Sequence, residues 1–284
     1  MTDAAVANTD QAAYWNADAG TTWSQLQDIL DFQLAPLSRA ALAALAPAEG
    51  EHILDIGCGC GATSLDLAWA IDPEGSVLGV DISEPMLAVA RQRADQAGYK
   101  QVRFALGDAQ VFPFEAGAFD AVFSRFGVMF FEDPTAAFAN IRRALKPGGR
   151  LAFVCWRAPT ENPVMMLPMQ AAARHFEAPP APVDPLAPGP FAFADGERLR
   201  GIMRAAGFTD VTLTPHDEAI GAPTLEDSLK LSLRVGPLGR MLVANPDKAE
   251  AALASVREAL APYVKADGVL LPSATWIVTA RSPG

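Results

Sequence analysis

The chain has 284 residues, half of them hydrophobic, which suffices for one large core with insertions and excludes wholesale disorder. Acidic residues outnumber basic ones 33 to 22, and the formal charge of −11 speaks against nucleic acid or an anionic membrane surface as a partner. Cys58, Cys60 and Cys155 make no disulfide framework in a chain this long, and no apolar run approaches the roughly 20 residues of a membrane span. The first basic residue is Arg39, so no charged leader is read, and the expectation is a soluble cytoplasmic protein.

Residues 1–12 are small and polar and are expected to fray. From Thr21 to Leu45, Trp23, Leu26, Ile29, Leu30, Leu34 and Leu37 recur at helical spacing, with Pro36 expected to kink or split the helix. Strand and helix then alternate. Ile53–Ile56 reads as a strand ending in glycines, 61–71 as a helix and Val77–Val80 as a second strand. Ser83 reads as the cap of a helix that stops at Gly98, and Val102–Ala105 as a third strand. Phe119–Ser124 is a fourth strand and 134–145 a helix. Lys146-Pro147-Gly148-Gly149 reads as a turn before a fifth strand, Leu151–Trp156. Such alternation means a parallel sheet covered on both faces.

Nine prolines between Pro159 and Pro190 then break the pattern, leaving room for one helix near Met165–His175. Asp195 reads as the cap of a helix ending at Gly207, and Val211–Leu213 as the start of a sixth strand. Residues 223–261 read as mostly helical, and Trp276–Ala280 as the last strand.

The run Asp55-Ile56-Gly57-Cys58-Gly59-Cys60-Gly61 joins the first strand to the first helix. Glycines there permit a tight turn and bring backbone N–H groups close to a ligand. Gly57, Gly59 and Ala62 also satisfy a dinucleotide fingerprint. Asp81, ending the second strand, suits both hydroxyls of a ribose, and Asp108, after the third, suits an adenine amino group. Asp55 would repel a pyrophosphate but pair with an ammonium. That charge argument favours an adenosyl amino acid over a nicotinamide dinucleotide.

These segments resemble the motifs of class I S-adenosylmethionine-dependent methyltransferases. Residues 53–61 resemble the first motif, Val80-Asp81-Ile82-Ser83 the second, Gly107-Asp108-Ala109 the third and Phe119-Asp120-Ala121-Val122 the start of the fourth. Leu145–Leu151 resembles the turn before the fifth strand. Small-molecule enzymes, including the ubiquinone and menaquinone biosynthesis C-methyltransferases, are the nearest likeness; beyond residue 157 it is much poorer. The resemblance implies an α/β, Rossmann-like sheet of seven strands, mostly parallel, with helices on both faces and helical or irregular cap insertions. It places the last strand antiparallel beside the sixth. It implies that Asp55, Gly57, Gly59 and Gly61 line the methionine and ribose part of S-adenosyl-L-methionine, and that Asp81 holds the ribose. Ile82 and Met86 would pack on adenine, Asp108 and Ala109 would hold its edge, and Ser124 and Arg125 would face the methionine portion.

The expected organisation is a helical cap segment 1–46, a cofactor-binding core 47–156, a proline-rich cap insertion 157–194, a core continuation 195–220, a helical cap insertion 221–268 and a final core strand 269–284. The expected activity is in-line transfer of a methyl group to a small, largely apolar molecule, with S-adenosyl-L-homocysteine as product. The alternatives are an NAD(P)-dependent oxidoreductase using the glycine loop, or a protein that binds the cofactor without transferring its methyl. His175 is the one histidine considered as a general base, its other reading being a surface residue. Arg125 is read as an anion partner, for the cofactor carboxylate or a substrate, or as half of a salt bridge to Asp55 or another acid. Trp23, with Tyr14 and Trp15, is read either as a cation–π face for a sulfonium or as core packing. A lone Cys58-x-Cys60 is poor grounds for a metal, and none is expected.

Overall fold

A computed structural model describes residues 6–176, 184–235 and 237–284. Three helices lead: α1 (Thr9–Asn16), α2 (Asp18–Gln25) and α3 (Gln27–Leu45). Then follow β1 (His52–Ile56), α4 (Ala62–Ile71), β2 (Ser76–Asp81), α5 (Glu84–Ala97), β3 (Val102–Leu106), β4 (Phe119–Arg125), α6 (Pro134–Ala144) and β5 (Leu145–Trp156). The second half holds α7 (Pro163–Ala172), α8 (Gly196–Ala205), β6 (Thr209–Ala222), α9 (Leu225–Arg234), α10 (Pro237–Ala244), α11 (Ala249–Leu260), β7 (Val264–Lys265) and β8 (Gly268–Arg281).

The strands form one sheet in the order β3-β2-β1-β4-β5-β8-β6, with the two-residue β7 hairpinned onto β8. Pairs from β3 across to β5 are parallel; β8 runs antiparallel between β5 and β6. This is the expected arrangement plus one short strand. Right-handed crossovers put α4 and α5 on one face, because β1, β2 and β3 progress one way. They put α6 and α8 on the other, because β4, β5 and β6 progress the opposite way. The order reverses between β1 and β4, the switch point beyond which ligands of open parallel sheets bind. Phe123, Phe138, Phe153 and Phe193 are fully buried about the sheet centre, and Phe138 stacks on Phe153 at 5.6 Å.

Four local expectations are corrected. Residues 1–5 lie outside the described residues, but α1 begins at Thr9 inside the stretch expected to fray. None of its residues is buried, so no hydrophobic pattern marks it. Its order comes from polar pins on distant residues, described below. The break in the Thr21–Leu45 pattern falls at Leu26, and α3 runs through Pro36. Burial of Leu30, Leu34, Leu37, Ala41 and Leu45 outweighs the roughly 3 kcal/mol that an interior proline costs. Residues 146–149 form no turn ahead of β5; they loop out within it, where the register slips between Phe119 and Ala121 and Gly148 takes φ +72°. Ser83 stands at the helix start, yet its hydroxyl donates to the Trp15 carbonyl (2.7 Å), and Glu84 N is capped by the Asn16 side chain (3.0 Å). Part of the proline-rich stretch, 177–183, lies outside the described residues. Among those described, no helix is long and apolar enough to cross a membrane.

Candidate functional site

The loop after β1 is set by three left-handed glycines, Gly57, Gly59 and Gly61. A Cβ on Gly57 would stand 2.6 Å from the Gly127 Cα, so the loops after β1 and β4 touch backbone to backbone. Ser124 locks that contact: its hydroxyl donates to the Ile56 carbonyl (2.7 Å) and accepts from Gly127 N (3.2 Å). Ser124 is thus behind the cavity wall rather than in it. So is Gly61, which packs against Ala90 and Phe104 at the start of α4.

Three carboxylates stand at the strand ends. Asp81 accepts from Gly59 N (2.8 Å) and Ser83 N (2.9 Å), and burial pushes its pKa up against those bonds. Asp55 is fully buried. Its Oδ2 accepts from Thr63 and Ser64 (2.8 and 2.7 Å), while its Oδ1 has no partner among the described residues. Burial dominates and raises its pKa to about 6, opposed by those hydroxyls and by Arg125. Asp108 is saturated. Ala7 N and Asn8 N donate to Oδ2 (both 2.8 Å); Asn8 Nδ2 (2.7 Å) and Gln110 N (3.0 Å) donate to Oδ1. The carboxylate read as an adenine partner is here the anchor of the N-terminal segment. Asn8 Oδ1 also accepts from Glu132 N (2.5 Å), closing the pin from the other side.

Arg125 has the salt bridge foreseen as its second reading, but to Asp31 of α3 (3.3 Å) rather than Asp55. It also donates to Ser38 (3.2 Å) and still lines the cavity. Arg93 lies 2.9 Å from the other Asp31 oxygen, off the hydrogen-bond direction, so two cations share one acid.

These groups surround a first cavity of about 910 Å³, its open mouth included. Gly57, Gly59, Asp81, Ile82, Met86, Asp108, Ala109, Arg125 and Trp23 line it; Asp55, Gly61 and Ser124, also expected at the cofactor, do not. Sequence reasoning missed Asn8, Gln11, Phe126 and Gly127 there, and had Trp15 only as a member of an aromatic cluster. Trp15 meets Trp23 and Phe130 edge to face (5.6 and 5.5 Å). Phe126 had one detectable signal, an aromatic ring before a glycine at a strand end; its φ is +62° and its ring stacks on Trp156 at 4.3 Å.

A second cavity, about 1010 Å³, shares Trp23 and Phe126 with the first. Side chains of α3, α7, α9, β6 and β8 line it, among them Met165, Leu231, Ile220 and Leu271. Among the described residues that line it no side chain is ionisable. His175 lines neither cavity; its Nε2 lies 2.8 Å from Ser255 Oγ on α11. The three cysteines are buried, and burial raises all their pKa values, Cys60 to about 11. Among the described residues no three His, Cys, Asp or Glu side chains group as metal ligands.

Residues 53–149 match a family described as "Methyltransferase domain". A demethylmenaquinone methyltransferase of Lactococcus lactis is 30% identical, over 75% of this chain and 89% of the relative. A nocamycin O-methyltransferase of Saccharothrix syringae is 31% identical, over 67% of this chain and 71% of that one. Among solved structures, phosphoethanolamine N-methyltransferase 2 of Haemonchus contortus, in complex with phosphomonomethylethanolamine and S-adenosylhomocysteine, superposes with a TM-score of 0.58. It is 22% identical, over 99% of this chain and 61% of that one, a likeness of fold.

Proposed function

The chain belongs to the class I S-adenosylmethionine-dependent methyltransferases, and we propose that its first cavity holds the cofactor while its second holds a small, largely apolar acceptor. The observation that carries this reading is the wall of Trp23 and Phe126 common to both cavities. Because both residues border both cavities, the two cavities adjoin, as direct transfer from a molecule in one to a molecule in the other requires. The residues fit the cofactor. Gly57, Gly59 and the Asp81 carboxylate line the cavity, and Asp55, fully buried behind that lining, is a nearby acid for the cofactor's ammonium. The oxidoreductase reading finds no support in these comparisons.

The cofactor supplies an electrophilic methyl group on a sulfonium, displaced in line as sulfur keeps the electron pair of the broken bond. The rest is the work of the chain's own residues. Asp81, braced by Gly59 N and Ser83 N, receives the ribose hydroxyls. Ile82 and Met86 give the adenine an apolar face, and Ala109 lies at its edge. Arg125, beside Asp31, attracts the cofactor's carboxylate. Trp23 and Trp15 line the cavity that would hold the positive sulfur, where an aromatic ring would attract it. The second cavity orients the acceptor and excludes water. Among the described residues that line it none is ionisable, and His175 lines neither cavity, so the attacking atom is left, on this reading, to the acceptor's own acidity.

The expected cap segments each supply walls: Trp15 and Trp23 from 1–46, Met165 and Pro190 from 157–194, Leu231 from 221–268. They support treating those segments as a cap over the core. An enclosed cap of this kind suits a small molecule, as the relatives named for menaquinone and nocamycin do.

The test is calorimetric titration of the full chain with S-adenosylhomocysteine, with NADH as control. One-site binding of the former alone is expected. Binding of NADH alone would overturn the assignment of the first cavity.

A further inference from the structure

The second cavity is apolar except at a few points. Ser232 satisfies its hydroxyl within its own helix, donating to the Ser228 carbonyl (2.9 Å). Gln33 and Ser228 differ: both line the cavity, and no hydrogen bond among the described residues engages the Gln33 amide or the Ser228 hydroxyl. Ser228 is 8% exposed, and its hydroxyl does not make the bond back to its own helix that a helical serine commonly makes, which leaves it free to meet a molecule in the cavity. The two groups come from different helices of the cavity's lining, α3 and α9. Leu30 of α3 and Leu231 of α9 pack in one cluster; Gln33 follows the first by one turn and Ser228 precedes the second by one turn. Phe126 and Trp156, stacked on each other at 4.3 Å, also line the cavity.

We propose that the Gln33 amide and the Ser228 hydroxyl are the specificity-determining partners of the acceptor, a neutral, flat aromatic molecule bearing a hydroxyl or carbonyl on one edge. The proposal rests on the second cavity being the acceptor site. The amide and the hydroxyl each donate and accept, so either edge group is served. A charged acceptor would lose its hydration with no counter-charge among the described residues that line the cavity. A purely apolar one would leave both protein groups unpaired, which is how sites reject analogues that lack a polar atom.

The experiment uses the full chain saturated with S-adenosylhomocysteine and equilibrium dialysis of two probes, 2-naphthol and naphthalene. The measured quantity is the ratio of their affinities, in wild type, in Gln33→Leu, in Ser228→Ala and in the double variant. The ratio is expected to fall about threefold in each single variant and about tenfold in the double, with Ser228→Thr retaining it. Melting temperature and S-adenosylhomocysteine affinity, both expected unchanged, confirm that each variant is folded and loaded. A ratio unchanged within twofold in the double variant overturns the proposal while leaving the cavity assignment intact. Absence of saturable binding of either probe to wild type overturns the cavity assignment and the proposal with it.

Discussion

The two cavities meet at Trp23 and Phe126 but are made differently. The first is a rim of strand ends, where backbone amides and the Asp81 and Asp108 carboxylates hold fixed positions, Asp81 at the end of a parallel ladder and Asp108 through its hydrogen bonds to Ala7, Asn8 and Gln110. The second is a pocket of side chains contributed by α3, α7, α9 and the β6–β8 ribbon. One is therefore intolerant of atomic displacement, and the other tolerates exchange of volume for volume. An enzyme built this way can keep its cofactor chemistry constant while its acceptor changes.

The largest effect expected from that contrast is at Asp81. Asp81→Ala removes a carboxylate that would bind two hydroxyls and that braces Gly59 and Ser83. Two charge-assisted hydrogen bonds lost mean S-adenosylhomocysteine affinity at least about 100-fold weaker by calorimetry, with the circular dichroism spectrum retained. Next comes Asp55. Its native pKa of about 6 lies above the unfolded value near 3.8, so the native state binds the extra proton. Stability then falls as pH rises from about 4 to about 6, by at most about 3 kcal/mol, and is level above. Asp55→Asn should flatten that slope in urea unfolding. In wild type, S-adenosylhomocysteine affinity should rise over the same pH interval, because an ammonium pairs with the ionised form.

Gly57→Ala should cost about 2 kcal/mol or more of stability, since φ +66° and a 2.6 Å approach to the Gly127 backbone both oppose a methyl group. A thermal melt checks this. The smallest effects test the second region. Met165→Leu conserves volume on a partly buried wall and should shift the melt by under about 1.5 kcal/mol, with S-adenosylhomocysteine affinity within twofold. His175→Ala loses one hydrogen bond to Ser255, worth about 1 kcal/mol, and should leave both cavities' ligand affinities unaltered. A large loss of cofactor binding in either of these last two variants would break the contrast.

The contrast also explains what could be read from residues alone. The glycine loop, Asp55 and Asp81 sit within one strand–turn–helix–strand unit, where spacing along the chain is spacing in the molecule. The Asn8 pin could not be read: its partners Asp108 and Glu132 lie a hundred or more residues away, and α1 buries nothing that would mark it as ordered. Phe126 escaped for a local reason, because a left-handed aromatic residue is imposed by its stacking on Trp156 and not by its own preference. The β6–β8 ribbon was legible only as two short strands. Its outer half alternates exposed and buried residues weakly, and long antiparallel pairing maintains it.

That ribbon has a consequence of its own. Where β5 ends, at the Trp156–Thr275 pair, β6 and β8 continue paired as far as Ala222 and Val269. Ile220 and Leu271 are directly opposite each other on this overhang, and both face the second cavity. Part of the second cavity's enclosure is thus a cantilever of the central sheet, stiffened by a ladder of backbone bonds. Two opposed side chains on such a beam act as a caliper. Widening or narrowing them resizes the chamber without bending its frame, which makes Ile220 and Leu271 the natural place to retune the enzyme for a larger or smaller molecule.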